Sequence, residues 1–248
     1  MQALFVQKMK LHNLVFYLLL LLFNYSDLRA QNLWDSSYAR AVNVYDNTIG
    51  INSHLFNGSE YADYDHRTTG TPFFKQNSFS EGSIVYDDIQ YTQIQMIYDI
   101  VRDEIAIKKE GYLPLLLVKQ KIAAFDLAGH HFIKITTDSL TTGLKISGFY
   151  DVLYNGNTKL FAKRNKEIEE EIKFQERESA FIEKDEYYIL NDGVFYTVND
   201  KRSVLNALKD RKADVAKYLK QQKIKFKKNT ENAMMKTIVY YNGLNNIK

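Results

Sequence analysis

Apolar residues divide the chain into five stretches. Residues 14–23, "LVFYLLLLLF", are ten apolar residues in a row. Residues 38–48, "YARAVNVYDNT", place Tyr38, Ala41, Val42 and Tyr45 on one face of a helix. Ser36 or Ser37 can cap it, and Asn47 and Gly50 can end it. Residues 51–81 follow no period. "NGSEYADYDHRTTGTPFF" mixes turn formers with aromatics, as in functional loops or segments that wrap a surface.

From Gly82 the period becomes two. Ile94, Met96 and Tyr98 fall on one face, with Gln93, Gln95 and Ile97 on the other. Asp87-Asp88, Asn155-Gly156-Asn157 and Asn191-Asp192-Gly193 each separate two β-type runs and read as hairpin turns. Pro114 stands near the start of "LPLLLVKQK", where its missing N–H does least damage to a strand. "EIEEEIKFQERES" either continues the sheet as a long amphipathic strand or leaves it as an excursion. Short connections between strands imply antiparallel pairing.

The last stretch is helical. Asp200 is expected to cap "KRSVLNALKD", and Asp210 to cap "RKADVAKYLKQQ". Thr230 is expected to cap "ENAMMKTIVYYN", with Gly243 ending it, and "KIKFKK" between the helices reads as extended. Apolar stripes at helical spacing are core positions. The expected fold class is therefore α+β: an N-terminal helix, a largely antiparallel β-sheet of about 8–10 strands, and a C-terminal helical segment. The expected domains are a signal peptide over 1–30, a mainly antiparallel β domain over 31–198, and a basic helical segment over 199–248 packed on it.

The apolar run decides destination. Lys8 and Lys10 precede it, and "SDLRA" follows with small Ala30 at its end. This is the layout of a secretory signal peptide cleaved after Ala30. Ten helical residues rise only about 15 Å, against about 30 Å for a bilayer core, so a membrane anchor is the lesser alternative. Met9 is a second possible start, because "MKLHNLVFYLLLLLF" is the tidier leader. The chain has no cysteine. Lipoprotein attachment, disulfides, thiolate nucleophiles and zinc–cysteine sites are thereby excluded. The expected localisation is periplasmic or secreted.

Net charge is +3, but it is unevenly spread. Residues 31–200 hold seventeen basic and twenty-six acidic side chains, and residues 201–248 hold thirteen basic and three acidic. The plain reading folds the basic tail against its own acidic body. The sharper one gives it an anionic partner or a membrane surface. An exported chain rarely meets nucleic acid, so that partner is not expected.

Candidate chemistry is sparse. "AGHHF", residues 128–132, carries adjacent His130 and His131 between two β-type runs. "AGHH" reads as a hairpin connection on a solvent-exposed loop, with Gly129 supplying the turn. Neighbouring strand residues point to opposite faces, which suits metal chelation poorly. Replacing both histidines by alanine is expected to leave fold and metal content unchanged. There is no GxSxG, HExxH or glycine-rich phosphate loop. Asn57-Gly58-Ser59 matches a glycosylation sequon too short to use alone. No catalytic, cofactor-binding or metal residue is assigned.

Three stretches, "GSIVYDDIQYTQIQMIYDIVRDEIAI", "GFYDVLYNGNTKLFAKR" and "KRSVLNALKDRKADVAKYLKQQKIKFKK", together resemble a group of uncharacterised secreted proteins of Bacteroidetes. The likeness runs from about residue 56 to 241. It implies a Gram-negative exported context and no chemistry. The leading functional expectation is an exported, non-enzymatic binding or assembly module. One alternative is a half-barrel carrying a lipid or other hydrophobic ligand. The other is a hydrolase with a dispersed active site, using His54 or His66 with Asp63 or Asp65 as the orienting carboxylate.

Overall fold

Alternation of apolar and polar positions becomes strand pairing along most of the chain from Ser80 to Val198. The structure is a computed structural model and describes residues 54–109, 111–137, 143–144, 147–173 and 176–245. The apolar run 14–23 and the expected helix over 38–48 lie outside the described residues. Met1–Phe56 forms one compact unit, described only at the 3-10 turn His54–Phe56, and Asn57–Lys248 forms the other.

The second unit is α+β. Its strands run in chain order as β1 (Ser59–Glu60), β2 (Thr68–Thr69), β3 (Ser80–Tyr86), β4 (Ile89–Asp99), β5 (Glu104–Ile107), β6 (Leu115–Leu116) and β7 (Ile122–Leu127). They continue as β8 (His130–Ile135), β9 (Gly148–Asn155), β10 (Lys159–Lys163), β11 (Lys166–Lys173), β12 (Glu176–Glu183), β13 (Glu186–Asn191) and β14 (Val194–Val198). Eleven of them make one antiparallel sheet in the order β1-β6-β5-β4-β3-β7-β8-β9-β10-β13-β14. β11 and β12 leave that sheet as a hairpin, and β12 takes β2 as a parallel neighbour. Fourteen described strands exceed the eight to ten expected. The surplus comes from the two-residue strands β1, β2 and β6, too short to show a period, and from the long excursion.

Tight turns set the registers. Asp87-Asp88 has φ of 49° and 61°, and Asp192-Gly193 has 48° and 76°. Two consecutive positive φ values give the turn whose twist matches that of the flanking strands. Ala128-Gly129 does the same at 52° and 77°. That turn is therefore two residues long, and both histidines already belong to β8.

On one face of the sheet Phe125 lies opposite Phe132, and their rings stack at 4.6 Å. Tyr98, Phe149 and Phe74 meet this pair edge-on, and all five are buried. Further along the sheet sit three helices, α1 (Lys201–Ala207), α2 (Lys212–Gln221) and α3 (Thr230–Asn245). They bury Val204, Leu208, Val215, Leu219, Met234 and Ile238 against Leu160, Ile189 and Val198. Each large side chain so buried contributes about 1.5–3 kcal/mol. A third cluster gathers Tyr150, Phe161, Tyr188 and Phe195, and a fourth Tyr61, Ile97 and Ala106.

Some helix ends differ from expectation. Asp200 does cap α1, in a reciprocal capping box with Ser203. Asp210 caps nothing: it lies in the 3-10 turn Lys209–Arg211, and both its oxygens accept from Tyr241 Oη at 2.9 Å. Asn229 rather than Thr230 receives the backbone N–H of Asn232, at 2.9 Å. The Thr230 hydroxyl donates back to the Phe226 carbonyl instead. Gly243 does not stop α3, which runs on to Asn245. "KIKFKK" forms turns rather than a strand, because burial of Phe226 bends it onto the helices.

Candidate functional site

Asp151 projects from β9 and is 1% exposed. A carboxylate at that depth needs partners. β10 ends at Lys163, and the next residue, Arg164, turns its guanidinium back to Asp151 Oδ2, with Nε at 2.9 Å and Nη2 at 2.6 Å. Nη1 reaches Asp185, between β12 and β13, at 2.6 Å, and Glu231, in the first turn of α3, at 2.7 Å. Tyr187 donates its hydroxyl to the same Glu231 oxygen at 3.2 Å. One guanidinium thus holds three carboxylates from three segments. Burial works against the Arg164 charge, but the bonds to Glu231 and Asp185 and the charge of Asp151 outweigh it and hold its pKa above the ordinary value. Glu231 is also affected by burial, which favours its neutral form. The bond and charge of Arg164 prevail and hold it below the usual carboxylate range.

His130 joins this cluster. Its ring places Nδ1 2.8 Å from Asp151 Oδ2, while Nε2 meets the Lys75 ammonium. An ammonium only donates, so Nε2 accepts and Nδ1 carries the proton given to the carboxylate. Phe74 packs edge-on to the imidazole at 5.1 Å and lies 5.7 Å under the guanidinium of Arg164. The exposed-loop expectation is corrected for His130: its side chain is 19% exposed and is bonded on both sides. The two-residue turn is the physical reason, since it leaves the histidine on the core-facing side of β8. His131 points the other way, half exposed, with Nδ1 2.7 Å from Asp126 on β7. Ser83 donates to the other Asp126 oxygen at 2.6 Å. The carboxylate stands between serine and histidine, the wrong order for a histidine to take the serine proton.

A cleft of about 410 Å³ opens beside Arg164, walled by Glu183, Asp185, Tyr187, Asn199, Asn229 and Glu231. Two of its carboxylates are already held by Arg164. Among the described residues no group of three His, Cys, Asp or Glu side chains gathers to hold a metal.

Two further ionic centres lie nearby in the fold. Asp103 receives Tyr98 Oη at 2.5 Å, Lys163 Nζ at 2.6 Å and Lys119 Nζ at 2.6 Å. Gly148 permits this crossing of β9, since a Cβ there would sit 2.3 Å from Asp103 Oδ2. Burial would raise the Asp103 carboxyl, and the two lysines hold it below its ordinary value. Burial also lowers Lys163. Asp99 accepts from Tyr61 at 3.0 Å and Tyr64 at 2.9 Å, and Arg102 lies 4.0 Å over the Tyr64 ring. The aperiodic aromatic segment therefore docks through Tyr61, Tyr64, Phe73 and Phe74.

The hydrolase candidates Asp63, Asp65 and His66 lie on the exposed surface. His66 is 94% exposed and 3.7 Å from Asp65. Asp65 is clamped by Arg67, with Nη2 at 2.5 Å, and those hydrogen bonds hold its carboxyl well below the ordinary range. Asp63 is exposed and joins neither. His54 begins the 3-10 turn of the other unit. Arg164 and Asp151, the centre of the observed cluster, carry no sequence signal. Each looks like an ordinary polar residue at a strand position.

Comparison with known proteins adds no relative: no protein-family model, curated protein or solved structure matches the chain. Among the described residues no helix is long and apolar enough to cross a membrane.

Proposed function

We propose that the chain is an exported, non-enzymatic binding or assembly module of the periplasm or cell surface. The observation that carries this reading is the Arg164 cluster. His130 is held between Asp151 and Lys75, and Arg164 is spread over three carboxylates. Groups so engaged fix segments to one another rather than wait for a substrate. The leader-like run 14–23 and the resemblance to secreted proteins of Bacteroidetes support export. A hydrophobic-ligand half-barrel needs an open apolar face. Here Phe74, Phe125, Phe132 and Phe149 fill that face with their own rings.

Two measurements test the reading. Fractionation of the producing cells with N-terminal sequencing should find the chain outside the cytoplasm and beginning at Gln31. A cytoplasmic chain with an intact Met1 or Met9 start defeats export. A panel of ester, peptide, glycoside and phosphoester substrates should show no turnover dependent on His66 or His130. Turnover lost on His130→Ala or His66→Ala in a folded protein defeats the non-enzymatic part.

A further inference from the structure

The β11–β12 hairpin stands apart from the main sheet as an arm. Residues 167–172, Glu-Ile-Glu-Glu-Glu-Ile, are all exposed, so β11 shows solvent both of its faces. Its outer edge has no further strand among the described residues. Ile172 is 76% exposed and Ile168 42%. Register puts Glu167, Glu169 and Glu171 on one face and Ile168, Glu170 and Ile172 on the other. Lys184 binds Glu169 at 2.7 Å, and Glu170 and Glu171 have contacts of their own. A long edge strand with exposed apolar residues is a pairing hazard unless charged or covered. This one carries four acidic and no basic side chains over 167–172, and β11 with β12 holds seven acidic residues against three basic.

The basic tail has the opposite character. Its helices dock through their apolar stripes, and its cations face outward. Lys217, Lys220, Lys223, Lys225, Lys227 and Lys228 are all exposed, and among the described residues none is in an ion pair. Where a tail side chain does pair with the body, it is the acidic Glu231 with the body's Arg164. The attraction expected between basic tail and acidic body is thus not what the contacts use.

We propose that copies of this chain associate head to tail, with the β11–β12 arm of one copy lying on the basic face of α2 and the following turns of the next. The proposal rests on the assembly reading and names its partner. Charge decides the pairing: two acidic arms repel, two basic faces repel, and only arm on face attracts. Dimensions agree. Six strand residues span about 20 Å, and the ten residues of α2 rise about 15 Å before the lysine-rich turns extend the face. Tyr218 and Tyr240 stack at 3.9 Å where α2 meets α3, giving an aromatic plate for an isoleucine of the arm. A membrane fits this face less well, because Val239 is the one large apolar side chain strongly exposed on the described helices. An arm-on-face contact joins two different patches, so it closes reciprocally as a twofold dimer or propagates into chains or rings.

Sedimentation velocity on the purified full chain tests this, over a wide concentration range at low and high salt. The wild type should form dimers or larger species at low salt and dissociate as salt screens the contact. Glu167→Gln/Glu169→Gln/Glu171→Gln removes the charge from one face of β11, and Lys217→Gln/Lys220→Gln/Lys223→Gln removes the basic face. Each variant alone should be monomeric with an unchanged circular dichroism spectrum. Mixed one to one, they should form a heterodimer and nothing larger, since one intact arm then meets one intact face. A wild type that stays monomeric, a folded variant that still self-associates, or a mixture that stays monomeric overturns the proposal. So does a monomeric wild type whose lysine face binds phosphatidylglycerol vesicles. A processed, exported but monomeric chain sinks head-to-tail association alone, whereas an unprocessed cytoplasmic chain sinks the export reading alone.

Discussion

Arg164 and Glu231 are 67 residues apart in the chain and meet at 2.7 Å. The bond fastens the first turn of α3 to the end of β10, beside a guanidinium that is 7% exposed. Removing one partner of a buried ionic group leaves the others uncompensated, at a cost of about 3–5 kcal/mol. Arg164→Met should therefore destabilise by about that amount, because Asp151 loses its only guanidinium and Asp185 and Glu231 lose theirs. Urea unfolding measures it. A loss under about 1 kcal/mol would mean that the cluster contributes little to holding the helices.

The two histidines should separate sharply. His130→Ala removes the bond to Asp151 and the packing on Phe74, and leaving a buried group short of a partner costs about 1–3 kcal/mol. His131→Ala loses a half-exposed contact with Asp126 and should fall within about 0.5 kcal/mol of wild type. Thermal melts of the single variants decide this. Equal effects would contradict the burial difference.

Acid should loosen the fold through particular carboxylates. Burial raises Glu231 and Asp103, but Arg164 in the first case and Lys163 with Lys119 in the second hold both below their ordinary values. A carboxyl whose folded value is depressed contributes stability above its unfolded value, near about pH 4, and loses it as pH falls through the folded value. Stability should be level from neutrality to about pH 5 and decline below about pH 4. Glu231→Gln should be less stable than wild type at pH 7, with the gap closing in acid. A gap of constant size down to pH 2 would exclude this linkage.

Within the tail, burial should outweigh charge. Leu219 is 2% exposed in the helix core, whereas Lys220 faces solvent. Leu219→Ala should cost about 2–5 kcal/mol, and Lys220→Ala no more than about 0.5 kcal/mol. Denaturant midpoints test the order. A reversed order would mean that tail docking is electrostatic.

The sheet was legible in the sequence because its signals are local. Asp87-Asp88 and Asp192-Gly193 name their own turns, and the alternation through Ile94, Met96 and Tyr98 names a face. The C-terminal helices were legible through Val204, Leu208, Val215 and Leu219. The ionic cluster was not, because it is made of single residues from β8, β9 and four connecting or terminal positions, Lys75, Arg164, Asp185 and Glu231. No spacing relates Asp151 to Asp185 or Arg164 to Glu231. The sequence places His130 in a loop because Ala128 takes positive φ without the usual Asn or Asp, which hides a turn of two residues. Asp210 has a capping residue's chemistry, but Tyr241 captures it first.

The β11–β12 arm leaves and rejoins the sheet at one point. Lys184 N–H bonds to the Asn165 carbonyl at 2.9 Å, and Asn165 N–H to the Asp185 carboxylate at 3.1 Å. β10 then pairs with β13 as though nothing lay between them. The two ends of the excursion are thus pinned together independently of its length or contents. Lengthening such a closed loop costs little, about 0.6 kcal/mol for each doubling. The neck at Asn165 and Lys184 is therefore a graft point, where evolution or an engineer can exchange one protruding segment for another while the eleven-stranded sheet and its helices keep their registers.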